Sequence, residues 1–288
     1  MEAAFAELPL ALFTTLAPLG AGALLAMALV GLVAPSAFAG EGASRALGVR
    51  VLVALAVAAV GFAASLFHLA TPAHAPYVLA NVGGSPLSNE IAAGVAFLVV
   101  GAVFCALLLF GRPQVAALTA ACVVMVAVAL AFGWFAGQAY VMRTIASWNT
   151  VLVPVQVVGF MLLEGTILAQ VLLRGGTLDV AAGDARARRA LACLVVVGAV
   201  VGTLAFAAQV MAVQGMVTPL VSGAQLLAEV GVFLWLSVVL LLAAGGLAAV
   251  TALKGLGQAP AGLALALAVA GVFIARLVFY ATQVSAGL

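Results

Sequence analysis

Eight long apolar runs, separated by short polar breaks, leave this chain few folds to adopt. A helix rises about 1.5 Å per residue, so about twenty apolar residues cross the hydrocarbon of a bilayer. The runs lack the apolar–polar alternation that barrel strands require. In lipid every backbone N–H and C=O must be paired internally, which leaves a helical bundle. Charged residues make up only 6% of the 288, against about a quarter in a soluble domain. A water-soluble fold is therefore excluded.

The spans are expected over residues 10–33, 49–69, 89–110, 114–139, 151–173, 189–214, 223–247 and 261–282. Pro18 predicts a kink in the first. No internal repeat is visible, and one all-α domain over residues 1–288 is the simplest organisation: a multi-pass protein of the cell membrane. Ala37-Phe38-Ala39-Gly40 resembles a signal-peptidase site. The acidic flanks Glu2 and Glu7 and the long apolar core before it point instead to a retained first helix.

Charge placement orients the bundle. One alternate set of breaks carries Arg45, Arg50, Arg112, Arg174, Arg186, Arg188, Arg189 and Lys254; the other carries Arg143, with Arg276 near it. Eight against two is a positive-inside bias, which predicts both termini on the outer side. His68, His74, Glu90, Arg143, Trp148, Asn149, Glu229, Arg276 and Tyr280 then fall in the outer half. No basic cluster with interleaved aromatics is present to follow a phosphate backbone. Cys105, Cys122 and Cys193 sit inside apolar runs without a CxxC pair, and are expected to be small core residues.

Few polar residues remain to carry chemistry. His68, at the end of the second span, can accept a proton near pH 7. His74, between Pro72 and Pro76, fits a solvated loop position. Glu90 opens the third span, where Ser88 or Asn89 could cap the helix. It is a second possible proton acceptor. Arg276 lies in the outer third of the last span, where a charge is a functional candidate by default, with Glu229 a possible partner. Tyr280 is one turn further on the same face. Tyr140, Trp148 and Trp134 fit interfacial anchors. Glu164 lies near the middle of the fifth span, as either a proton-path residue or a hydrogen-bonded core acid.

Proton acceptors, an arginine and aromatics near one membrane face suit an amphiphilic quinol, whose oxidation releases two protons and two electrons. Only His68 among the histidines lies in a helix, so bis-histidine haem is not expected. The electron acceptor is then expected on another subunit.

The stretch SLFHLATPAHAPYVLANVGGSPLSNEIAAG, with ELPLALFTTLAPLGAG near the start and ARLVFYATQV near the end, resembles the membrane anchor subunits of dimethyl sulfoxide reductase-type enzymes. That resemblance implies a heteromeric molybdenum oxidoreductase. A catalytic subunit would hold molybdopterin, a second would hold iron–sulfur clusters, and the anchor would bind and oxidise menaquinol without a redox cofactor of its own. It assigns His68 and Glu90 to quinol binding and proton transfer, and matches Arg276 and Tyr280 to the last-helix RxxFY pattern. The family often has arginine where His74 stands and an acid where Val272 stands. Two alternatives stay open. One is a haemless anchor of the polysulfide reductase type, coupled to proton movement. The other, a small-solute transporter, would favour polar residues at the midplane.

Overall fold

A computed structural model of the chain describes residues 5–38, 41–67, 78–111, 113–175, 183–218 and 222–285. Eight long helices run through them: α1 (Leu8–Val33), α2 (Glu41–Leu66), α3 (Pro86–Phe110), α4 (Val115–Gln138), α5 (Leu152–Leu172), α6 (Ala185–Ala212), α7 (Gly223–Lys254) and α8 (Gln258–Ala281). All eight contain stretches long and apolar enough to cross a membrane. Among the described residues the only extended pairings are two isolated bridges, Ile145 with Ser285 and Val217 with Ser222.

Two spans begin or end well beyond the apolar runs. The second helix starts at Glu41, eight residues before the expected 49, and α7 continues to Lys254, seven beyond the expected 247. The extra segments, such as EGASRALG, contain good helix formers, and helix geometry continues where polar side chains meet water. Helix α1 passes through Pro18 without interruption. The cap of α3 is Ser85, whose hydroxyl accepts from the Ser88 N–H, not Ser88 or Asn89. Asn89 instead accepts from the Gly83 N–H at 2.6 Å through Oδ1. Gly83 has φ +87°, a left-handed turn position that suits glycine.

The helices pack as two halves with the same order. In the first half α1 packs on α2 and α4, and α3 lies between α2 and α4; in the second α5 packs on α6 and α8, and α7 lies between α6 and α8. Helices α1 and α5 form the seam and are the most enclosed. Glycines permit this closeness. A Cβ at Gly22 would run into the Met161 carbonyl, and one at Gly165 would meet the Gly22 backbone. Gly159 and Gly202 make the same kind of contact between α5 and α6, and Gly61 against Ala17 between α2 and α1. Lipid tails are as apolar as leucine, so such close backbone approach, through dispersion, holds membrane helices together. Each half has its own apolar core, the first around Phe97, Phe104, Phe132 and Met125, the second around Phe160, Phe206, Leu234 and Leu241.

The start of α1 and the end of α8 lie at one end of the bundle, here called the terminal face. The opposite end is the basic face. There Arg50 of α2 donates to the Leu172 carbonyl at 2.6 Å and the Gly175 carbonyl at 2.9 Å. Arg174 donates to the Leu256, Gln170 and Thr251 carbonyls. The last carbonyls of α5 and α7 are thus satisfied by cations, which also complement the helix dipoles. Asp184 caps α6, and the Ala187 and Arg186 N–H groups it accepts from hold its carboxyl below the usual range.

Candidate functional site

The last turns of α8 are buried on every side, from Ala275 through Tyr280. Three segments enclose them: the start of α1, the start of α5, and the connection between α4 and α5, residues 139–151. That connection is pinned to the tail beyond α8. Ala146 N–H donates to the Val284 carbonyl at 2.9 Å, and Val284 N–H donates to Ser147 Oγ at 2.9 Å. Gln209 of α6 donates to the Ser147 carbonyl at 2.8 Å. The result is a fixed cap at the terminal face, spanning both halves.

Under the cap sits Arg276, fully buried. Its Nε donates to Thr14 Oγ1 of α1 at 2.9 Å, and Nη2 donates to the Tyr280 hydroxyl at 3.3 Å. Thr14 can accept because its own hydroxyl donates to the Leu10 carbonyl at 2.7 Å. The guanidinium carbon lies 4.3 Å from the centre of the Phe279 ring, 5.2 Å from Tyr280 and 5.3 Å from Tyr140. Desolvated cation–π contacts of this kind are worth about 2 kcal/mol or more, and offset part of the cost of burying the charge. Nη1 has no hydrogen-bond partner.

The Tyr140 and Tyr280 hydroxyls are 2.8 Å apart. Burial, then the neighbouring Tyr280, pushes the Tyr140 phenol well above its ordinary range, with Arg276 opposing. That phenol thus stays protonated and able to donate. Trp148 stacks on Phe279 with ring centres 4.8 Å apart and donates its indole N–H to the Phe279 carbonyl at 3.3 Å. Tyr140 meets Trp148 and Phe279 edge-on. These rings make a rigid shelf over the arginine.

Glu90 approaches from the other half. It is buried on α3, and its Oε1 has no hydrogen-bond partner. It lies in the second turn of α3, at the same end of the bundle as the last turns of α8. This end of the bundle therefore offers an unpaired acceptor and an unpaired donor, both out of water. A buried group left this way is costly unless a further polar partner satisfies it.

Of the sequence-derived candidates, the structure brings Glu90, Arg276 and Tyr280 into one neighbourhood. His68 and His74 lie in residues 68–77, outside the described residues. Glu229 does not partner Arg276: it is exposed on α7. Tyr140 and Trp148 are not interfacial anchors but buried parts of the site. Trp134, 40% exposed, does fit an anchor. Cys105 and Cys122 are buried as expected, whereas Cys193 is exposed on α6. Arg143 and Asn149 are exposed in the cap. Thr14, Tyr140, Trp148 and Phe279 escape a reading of the sequence as members of a site. Tyr140 and Trp148 carry only the signal of an aromatic beside a polar break, which fits anchoring equally well; Phe279 is the phenylalanine of the RxxFY pattern, and Thr14 is a hydroxyl inside an apolar run. Among the described residues no group of three or more His, Cys, Asp or Glu side chains could hold a metal ion.

These features define a multi-pass helical membrane protein whose buried cation and acid sit under an aromatic cap at one end. The chain belongs to the DMSO reductase anchor subunit (DmsC) family, whose family model matches residues 1–282. It is similar to the C chain of the anaerobic dimethyl sulfoxide reductase of Escherichia coli K12, at 29% identity over 80% of this protein and 79% of that one. It also matches the C chain of the Haemophilus influenzae enzyme, at 32% identity over 60% of this protein and 61% of that one. A third relative, the YnfH chain of an anaerobic dimethyl sulfoxide reductase of E. coli K12, is 34% identical over 40% of each. The Haemophilus match thus spans about three-fifths of that relative's length.

Proposed function

We propose that this chain is the quinol-oxidising membrane anchor of a heteromeric dimethyl sulfoxide reductase-type enzyme, with its quinol site under the cap at the terminal face. The observation that carries it is a set of two unsatisfied buried atoms at this end of the bundle, Arg276 Nη1 beside the aromatic shelf and Glu90 Oε1 on α3. A quinol ring presents both matching functions: a hydroxyl that donates and an oxygen that accepts. In this reading the Glu90 carboxylate accepts from one quinol hydroxyl, and Arg276 donates to an oxygen of the ring. The aromatic rings exclude water and hold the head group flat.

Oxidation of menaquinol to menaquinone removes two electrons and two protons. Glu90 takes the proton of one hydroxyl, and His68 is the candidate acceptor for that of the other. Tyr140 and Tyr280 orient the oxygens through their hydroxyls. The electrons pass to an iron–sulfur subunit docked at the terminal face, and from there to a molybdopterin subunit. The charge bias supports a placement of the terminal face, both termini included, on the outer side of the cytoplasmic membrane. The relatives' names support the reductase assembly. A solute transporter is less favoured, because the charged and aromatic cluster sits at one end of the bundle and not at its midplane.

Replacing Glu90 with Gln or Arg276 with Gln in the assembled complex tests this. Oxidation of a menaquinol analogue is expected to fall, while reduction of the terminal acceptor by a soluble dye that bypasses the anchor stays unchanged. Unchanged quinol oxidation in both variants would refute it.

A further inference from the structure

The cap site leaves one set of buried polar groups unused. Helix α5 carries Gln156, Glu164, Thr166 and Gln170, all fully buried. Both side-chain heteroatoms of Gln156, Glu164 and Gln170 lack hydrogen-bond partners, as does the Thr166 hydroxyl. Thr203 of α6 and Thr251 of α7 are also buried with unpaired hydroxyls. Serine and threonine in membrane helices commonly satisfy themselves on a carbonyl one turn back, as Thr14, Thr15 and Thr282 do here. Thr166, Thr203 and Thr251 do not.

Their placement is ordered. Taking about 100° per residue, the four α5 positions fall within roughly 80° either side of the direction opposite Gly165. Gly165 is where α5 meets α1, so these side chains turn into the second half. They extend over fourteen residues, about 21 Å along the axis. On α6, Thr203 lies at a level between Gln156 and Glu164, since its neighbour Gly202 abuts Gly159 and Phe160. At the basic face Thr251 and Gln170 share a level, because Arg174 donates to both of their carbonyls. At the other end Gln209, whose Oε1 is also unpaired, reaches the cap through Ser147.

A dry apolar core would not hold so many unpaired donors and acceptors along one helix. Buried water typically makes about three hydrogen bonds to such groups. We infer that the second half encloses a hydrated polar track running from Gln170 and Thr251 at the basic face, past Glu164 and Thr203, to Gln156. It would carry water, and with it protons, to Glu164. It is separate from the Glu90–Arg276 site and does not rest on the quinol assignment.

Silver ion, which reaches a buried thiol only through water, tests this in the assembled complex in sealed membranes. Cysteine is introduced by Gln170→Cys, Thr203→Cys or Glu164→Cys, in a background with Cys105, Cys122 and Cys193 replaced by alanine. Ala169→Cys, fully buried on the same helix but about 40° from Gly165 on its α1 side, in the apolar core of the first half, is the dry control. Modification is read as protection from later labelling in denaturant. The three track positions are expected to react at least tenfold faster than position 169. Adding Gln170→Leu to Glu164→Cys is expected to slow the reaction from the basic face severalfold. Equal, slow rates at all positions would overturn the track, and an unaffected rate after Gln170→Leu would overturn its continuity. If Glu164→Cys does not accumulate, the rates of Gln170→Cys and Thr203→Cys against Ala169→Cys decide.

Discussion

The two four-helix halves share a packing order but not a distribution of polar groups. Each has an acid near the start of its third helix, five residues past the N-cap serine in α3 and seven past it in α7. Two residues rotate a helix by about 200°, so the acids land on opposite faces. Glu90 turns inward toward Arg276, whereas Glu229 is exposed. The halves teach that in a bundle of apolar helices the register of one charge, rather than its presence, creates a site. The second half keeps its buried acid elsewhere, at Glu164 on the seam helix.

The largest effect that would break this comparison is at Arg276. Arg276→Gln removes hydrogen bonds from a charged group, each worth about 1.5–3 kcal/mol. Oxidation of a menaquinol analogue is expected to fall by about tenfold or more. Arg143→Gln, in the exposed cap, is expected to leave it unchanged. Equal losses would mean that Arg276 acts only as one more surface charge.

Next is the seam. Gly165→Val would drive a side chain into the Gly22 backbone, and overpacking of this kind costs about 1–3 kcal/mol. The thermal stability of the detergent-solubilised complex is expected to drop by several degrees. Gly231→Ala, with open space around it, is expected to be neutral. If both are neutral, the halves do not meet where the glycines place them.

How far the sequence alone can see differs by type of feature. Span number follows from hydropathy, because no other structure satisfies so much backbone in lipid. The Arg276–Tyr280 pair follows from a four-residue spacing on one helix. The partnership of Arg276 with Thr14 spans 262 residues and that of Tyr140 with Tyr280 spans 140. Neither is legible, since helices apolar all round carry no periodicity that tells which face turns inward. For the same reason depth alone matches Arg276 with Glu229, at the right level but on the wrong face. The resemblance of the two halves is one of packing, and it too leaves no visible repeat in the residues.

A smaller effect sharpens the contribution of the cap. Tyr140→Phe and Tyr280→Phe each remove one side of a hydrogen bond worth about 0.5–1.5 kcal/mol. A double-mutant cycle on the apparent affinity for a quinone analogue is expected to show coupling of that size, and additivity would mean that the 2.8 Å contact contributes nothing to binding. The smallest change separates the tryptophans: Trp148→Phe is expected to weaken quinone binding a few-fold and Trp134→Phe not at all. A loss at Trp134 instead would place the site at the lipid surface.

The most direct measurement compares Glu90→Gln with Glu229→Gln in the assembled complex, reading menaquinol-analogue oxidation against dye-driven turnover. Loss of quinol oxidation in Glu90→Gln alone, with dye-driven turnover intact in both, is the predicted result. Equal quinol oxidation in the two variants would contradict a site built on the inward register of Glu90.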